Sequence, residues 1–427
     1  MSQGALPGFR DFYPEQLATR TYLMSVWRDV ARKYGFVEYD GPPLEPLELY
    51  TRKSGEEIVG QLYTFTDKGG REVALRPEMT PTLARMVAAK ANAMRKPIRW
   101  FSVPQLFRYE RQQKGRLREH FQLNVDIVGE ASVAADAELL AVAIDVMRAV
   151  GLTSSDVRAR VSDRQMLTAV LSAVGVKKAE MPAVFAAIDK TGREPREVTL
   201  GKVEKAVASK EARSGVSRIL ASSTDLNALA AEFRHSPEVM ETVTHMREYL
   251  NFLDALGVGD WIDFDLSIVR GLAYYTGKVF ELFDAKGEFR AICGGGRYDD
   301  LLSTIGGVDL PALGFGMGDV VLTELLRSRD LLPTPELATE YWVAADDESM
   351  LPDVMTVAGR LRSKSRSVEY ALKSQTLARQ LKTASSAGVK NVVLLRRDDY
   401  ANGKVTVKTL ADGSERSVAL EAFLNSL

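Results

Sequence analysis

Hydrophobic positions recur at helical spacing near the start of the chain. Leu23, Val26, Trp27, Val30 and Tyr34 form one stripe, Pro14 suits a first turn and Gly35 a C-terminal stop, which predicts an amphipathic helix over residues 14 to 35. FVEYD then alternates and runs into GPPLEP, where Pro42 and Pro43 allow only an edge strand or a strand end. YTFTD, a DKGG turn and EVALRPE predict a hairpin. Thr80, followed by Pro81, suits an N-cap for the helix TPTLARMVAAKA, which leaves Glu78 at a strand end facing a helix start. A second, longer hairpin is expected over 98 to 129, then a helix in AADAELLAVAIDVMRAVG stopped by Gly151.

From about 155 to 258 the sequence is rich in Ala, Lys, Glu and Ser at helical spacing, which predicts a mostly helical insertion. Strand signals return from 262 to 321 with three glycine clusters, VRGLAYYTG, CGGGRYDD and GFGMGD. RSRDLLPTPE, with Pro333 and Pro335, suits a linker. Beyond it, YWVAAD, a helix to about 363, SVEYAL, a helix over 375 to 387, NVVLLRR and KVTVKTL alternate as in a small α/β domain.

Composition narrows the function classes. The 427 residues are too many for a single core, so two or three domains are expected. Fifty-six Lys and Arg against 57 Asp and Glu give no bulk attraction for polyanions, so nucleic-acid contacts must come from local clusters. FRYERQQKGRLRE, residues 107 to 119, is one such cluster, with five basic side chains. The single cysteine, Cys293, excludes an internal disulfide and a cysteine-based zinc site, and fits a reducing compartment such as the cytoplasm. His120, His235 and His245 are too scattered for a metal site or a Ser/His/Asp hydrolase. The start MSQGALPGFRD lacks signal-peptide character, and Asp145 and Arg148 break the longest apolar stretch; neither export nor membrane insertion is expected.

The long hairpin carries the first chemical signal. Alternation in EHFQLNVDIVG puts Phe121, Leu123, Val125 and Ile127 on one face and His120, Gln122, Asn124 and Asp126 on the other. Arg108 and Glu110 fall opposite Phe107 and Tyr109, so two strands can present Arg, Glu, Gln and Asp to one surface. A solvated sheet face explains this hairpin equally well by itself. The glycine clusters change the balance: Arg270 and Tyr275 are flanked by Gly271 and Gly277, and Tyr298 stands behind three glycines. Glycine in a strand often marks close approach of a ligand. An arginine in such surroundings is costly to bury without an anion, and phosphate accepts its paired donors. CGGGRYDD and GFGMGD are not P-loops, since no GK[ST] follows.

LRPEMT, FRYERQQKGRLREHFQ, VRGLAYYTGKVFE and CGGGRYDDL, in this order, resemble class II aminoacyl-tRNA synthetases and within them the histidyl-tRNA synthetases. The helix and strand at the start are similar to the dimer-forming motif 1 and the long hairpin to motif 2. KSQTLARQLKTASSAGVKNVVLL and KVTVK are similar to the family's anticodon-binding domain. The resemblance implies an α+β fold with an antiparallel-sheet catalytic domain over 1–154 and 259–328. It also implies a helical insertion over 155–258 and an α/β anticodon-binding domain over 336–427. It implies a homodimer that makes histidyl-adenylate from histidine and ATP, with Mg2+, and passes the histidyl group to tRNA(His).

Residue by residue, Arg108 and Arg270 match the catalytic arginines at the α-phosphate, Arg116 the loop arginine at the outer phosphates and Glu110 the carboxylate near adenine. Glu78, Thr80 and Gln122 match the acceptors of the α-ammonium. Asp126 and Tyr275 match the pair on the imidazole nitrogens, with Tyr274, Tyr298 and Arg270 completing the histidine pocket. No protein-held metal is implied. His120 reads as structural, and Cys293 as core or pocket wall. Lys373, Arg379 and Lys382 suit either the anticodon stem or a solvated helix face.

Two departures stand out. The arginine that closes motif 3 is absent, for GFGMGDVVL offers Asp319, Val320 and Val321, and Arg297 is the expected substitute; Ala273 replaces the aspartate of RGLDYY. These changes favour the alternative, a synthetase-like regulatory subunit of ATP phosphoribosyltransferase. Arg108, Arg270 and the domain after residue 335 favour the synthetase.

Overall fold

The computed structural model describes residues 4–51, 59–110, 115–189, 194–269, 274–335 and 339–427. Two compact units divide the chain, Met1–Pro333 and Thr334–Leu427.

The first unit is built on a nine-stranded sheet. Its order is Val37–Glu38, Ile98–Ser102, Glu119–Val128, Ala312–Gly318, Cys293–Arg297, Lys278–Asp284, Val157–Asp163 and Ile262–Phe264, with Gln105–Phe107 also paired to Glu119–Val128. Only the two outermost pairings are parallel, so the centre is antiparallel, as expected. The Val133–Ala149 helix covers one face. Its buried Leu139, Val142 and Val146 share a core with Leu123, Val125 and Ile127 of the long strand and with Trp27 of the Pro14–Lys33 helix. Gly35 follows that first helix at φ 75°, a left-handed stop that glycine adopts without cost.

Sequence expectations need correction at three places. Val157–Asp163 is a strand of the main sheet, with Val157, Ala159 and Val161 buried beside Lys278–Asp284. The helical run begins only at Arg164, and its residues Val184, Val216 and Met246 extend the same core. Thr80 is not an N-cap: Met79 already has helical dihedrals (φ −95°, ψ −23°), so Thr80 is the first residue of the Thr80–Lys90 helix. The predicted hairpin of Tyr63–Thr66 and Glu72–Leu75 gains a third strand, Leu44–Pro46, which carries the proline at its end.

In the second unit the strands Val368–Tyr370, Tyr341–Ala345 and Asn391–Leu395 are parallel, and Lys404–Thr409 and Glu415–Ala419 continue the sheet antiparallel. Both faces are covered, one by Val357, Leu361 and Phe423, the other by Ala384. No helix among the described residues is long and apolar enough to cross a membrane.

Candidate active site

The free face of the main sheet is a trough floored by glycine. Register pairs Gly314 with Asp126, Gly316 with Asn124 and Gly318 with Gln122, and pairs Gly296 with Gly314 and Gly294 with Gly316. Directly paired residues share a face, so two strands carry no side chain there while Gln122 and Asp126 lean over them. A Cβ on Gly314 would lie 2.0 Å from Asp126 Oδ1, and one on Gly316 2.8 Å from the Gln122 amide. From His120 to Asp126 the floor runs about 20 Å at strand rise.

One end is a buried aromatic pocket. The Tyr298 hydroxyl donates to Asp126 Oδ1. The Tyr274 ring lies 5.8 Å from Tyr298 and 5.0 Å from Tyr275, and its hydroxyl donates to Glu78 Oε2 at 3.5 Å. Burial pushes the Asp126 carboxyl up to about 7, against the opposing pull of the Tyr298 hydrogen bond. Thr80 sits two residues beyond Glu78, at the helix start.

The other end is a cavity of about 730 Å³ that includes Arg108, Glu110, Arg116, His120 and Gln122 in its lining. Arg108 Nε donates to the Pro77 carbonyl at 2.8 Å, which fixes the guanidinium beside Glu78. Arg116 Nε lies 3.0 Å from Glu110 Oε2. Burial, with Arg108 and Arg10 nearby, pushes the His120 imidazole down to about 3, so it is neutral. Among the described lining residues, Arg108, Arg116, Arg160 and Arg290 outnumber Glu110 and Glu281, four cations against two anions, so the cavity is net positive.

The structure thus gathers the expected residues into two adjoining groups along one strand. Arg108, Glu110, Arg116 and Gln122 line the cavity; Glu78, Asp126, Tyr274, Tyr275 and Tyr298 form the pocket. Arg270 lies outside the described residues, as do Gly271 to Ala273 and residues 111–114 of the basic loop. Cys293 is buried in the core and borders the cavity. No cluster of three or more His, Cys, Asp or Glu fit for a metal occurs among the described residues.

Arg297 is not the substitute for the motif 3 arginine. Strand alternation turns it away from Gly294 and Gly296, and its guanidinium grips Asp136 of the covering helix at 3.0 and 3.1 Å and the Glu130 carbonyl at 3.0 Å. Asp319, the first residue after the glycines of the motif 3 stretch, accepts from Arg10 at 2.9 Å and from the Phe121 amide at 2.9 Å. Arg10 also donates to Glu119 at 2.6 Å, tying the N-terminal segment to the end of the long strand. Sequence reasoning missed Arg10, Arg160, Glu281 and Arg290. Only Arg160 and Glu281 left a signal, as polar positions alternating within VRARVSD and KVFELFD.

An antiparallel sheet with a cationic cavity laid along its free face, followed by a separate α/β unit, is the arrangement expected of a class II aminoacyl-tRNA synthetase. The family model for histidyl-tRNA synthetase matches residues 8–319 and that for the anticodon-binding domain matches 341–427. The histidine–tRNA ligase of Opitutus terrae is 43% identical over 98% of this chain and 96% of its own. The chloroplastic/mitochondrial histidine–tRNA ligase of Arabidopsis thaliana is 41% identical over 97% of this chain and 84% of its own. The fold is also that of the histidyl-tRNA synthetase crystal structure from a Nostoc species, with a TM-score of 0.83 over 100% of both chains at 24% identity. The chain belongs to the histidyl-tRNA synthetase family. It is a ligase, not the regulatory relative.

Proposed function

We propose that the trough joins histidine to ATP and passes the histidyl group to tRNA(His), with the imidazole in the Asp126 pocket and the phosphates in the cationic cavity. The carrying observation is that one strand supplies both ends: Asp126 reaches the buried pocket while Gln122 and His120 face the cavity. In this reading a histidine carboxylate oxygen bonds to the α-phosphorus and the bridge to the β-phosphate breaks, releasing pyrophosphate. Negative charge grows on the phosphoryl oxygens, and the fixed Arg108 guanidinium, joined by Arg270, lowers that barrier. Arg116 meets the outer phosphates and Glu110 lies near the base. ATP brings its Mg2+ as part of the substrate.

Glu78, Thr80 and Gln122 accept from the α-ammonium. Asp126 and Tyr275 address the two ring nitrogens, with Tyr274 and Tyr298 as walls. An analogue lacking those nitrogens leaves the buried groups unpaired, which supports discrimination of roughly 10⁴ or more. Two copies associate through the first 46 residues, where Leu6, Tyr13, Leu17, Val37 and Leu44 are exposed apolar side chains. The cytoplasm is the proposed site of action.

The test is histidine-dependent exchange of label between pyrophosphate and ATP. Arg270→Ala should lower it by at least about 10² while circular dichroism stays unchanged. Near-wild-type exchange would remove Arg270 from the mechanism.

A further inference from the structure

The aromatic pocket is held from the far side of the sheet. Arg297 and Tyr298 are consecutive, so alternation sends the guanidinium to the covered face and the phenol to the trough, where its hydroxyl reaches Asp126. On the covered face Arg297 is buried and all five of its N–H donors are engaged. Nε and Nη2 donate to the two Asp136 oxygens at 3.1 and 3.0 Å, and Nη1 to the Glu130 carbonyl at 3.0 Å and to Asp299 Oδ1 at 3.2 Å. Nη2 also donates to the Ser132 carbonyl at 3.3 Å. Turning this guanidinium in any direction breaks a buried hydrogen bond, which is costly.

Neighbouring bonds carry that fixity into the trough. The Arg297 carbonyl accepts from the Thr276 amide at 2.8 Å. The Thr276 hydroxyl donates to Asp299 Oδ2 at 3.3 Å and accepts from the Asp299 amide at 3.1 Å. The Tyr298 amide donates to the Ala312 carbonyl at 2.7 Å, and the Ala312 amide donates to Asp299 Oδ1 at 3.2 Å, the oxygen that Arg297 also holds. Thr276 directly follows Tyr275, whose ring edge lies over Gly296: a Cβ there would come 3.0 Å from Tyr275 Cδ1. A Cβ on Gly277 would lie 3.2 Å from Arg297 Cδ, so the glycine that closes VRGLAYYTG makes room for the stem of this arginine. Tyr275 and Tyr298 are thus each one peptide away from the same buried network. We propose that Arg297 is a positioning residue for histidine recognition: anchored on Asp136 of the Val133–Ala149 helix, it sets Tyr275 and Tyr298 at the spacing the imidazole requires, with Thr276 and Asp299 as the link. Selection through two ring nitrogens tolerates little displacement, since a shift of about 1 Å in a positioned group costs roughly 10²-fold. Arg297, Asp136, Thr276 and Asp299 are not part of the described lining of the cationic cavity, so their effect falls on histidine and not on ATP.

This inference rests on the Asp126 pocket holding histidine, and the test separates the two. Histidine affinity is measured by calorimetry on the full chain, and the histidine and ATP KM values by pyrophosphate exchange. Thr276→Val removes the hydroxyl with little change of shape, and should weaken histidine binding by about tenfold while the ATP KM stays within about twofold. Thr276→Ser keeps the hydroxyl and should retain wild-type affinity. Arg297→Lys offers fewer donors and no planar fork, and should weaken histidine binding by about 10². In a Tyr298→Phe background the effect of Arg297→Lys should shrink by at least about threefold, because part of it acts through that phenol. A merely structural network would lower the melting temperature of these variants and leave the histidine and ATP KM values in their wild-type ratio. That result, or equal histidine affinity in Thr276→Val and Thr276→Ser, overturns the proposal; if Arg297→Lys does not fold, the Thr276 pair decides it. A wild-type chain that binds no histidine would remove the pocket reading and this inference together.

Discussion

In the proposed site, Asp126 is the side chain assigned to the selection of histidine. Its carboxyl, pushed up to about 7 by burial, is neutral in mild acid and ionised in mild base, and the ionised form accepts from an imidazole N–H much more strongly. The histidine KM should therefore fall as pH rises through about 7. The substrate imidazole titrates near 6.5 as well, so a variant is needed to assign the limb. The Tyr298 hydroxyl favours the ionised carboxylate, and Tyr298→Phe should move the limb to higher pH. Profiles that coincide for both enzymes would contradict the assignment. Asp126→Ala should raise the histidine KM far more than the ATP KM; equal effects would count against the imidazole role. At this scale period-two alternation read His120, Gln122 and Asp126 onto one face correctly. The same parity disqualifies Arg297 as the substitute for the motif 3 arginine, because Gly294 and Gly296 already occupy the trough side. Arg290 sits in a turn, where no periodicity points.

Among the elements, the paired glycine strands make the trough, and their spacing is a packing requirement. At Gly314 the methyl of alanine would meet a carboxylate that Tyr298 holds in place, so Asp126 cannot yield without losing its partner. Gly314→Ala should raise the histidine KM by at least about tenfold. A methyl at Gly318 meets nothing within 4 Å, and Gly318→Ala should leave that KM alone. Equal effects of the two would show that the floor, not the Asp126 contact, matters. The glycine clusters were legible as close-approach sites, though which neighbour filled the space was not, since register is a tertiary fact. Val157–Asp163 was obscured by the helical composition that follows it, yet Val157, Ala159 and Val161 alternate with Arg158 and Arg160 as a half-buried strand should. The closing strand Glu415–Ala419 is mostly exposed and polar, which leaves little hydrophobic pattern to read.

For the whole molecule, the described site residues lie within Met1–Pro333, and Thr334–Leu427 has its own two-sided core. Removing residues after 335 should spare pyrophosphate exchange and weaken tRNA charging. Intact charging would refute a role for that unit in tRNA binding. The exposed apolar side chains between Leu6 and Leu44 predict a dimer by sedimentation, and charged substitutions at Leu17 and Val37 should shift it to monomer. The domain order was legible because four motifs recur in sequence order; the continuity of the core between sheet and helical run was not, because it depends on long-range packing. The most direct measurement is pyrophosphate exchange on the full chain with each of the twenty amino acids. Histidine alone should support it, exceeding the others by about 10⁴ or more, and Arg108→Ala should cut it by at least about 10². Exchange without histidine preference, or none with histidine, would contradict the account.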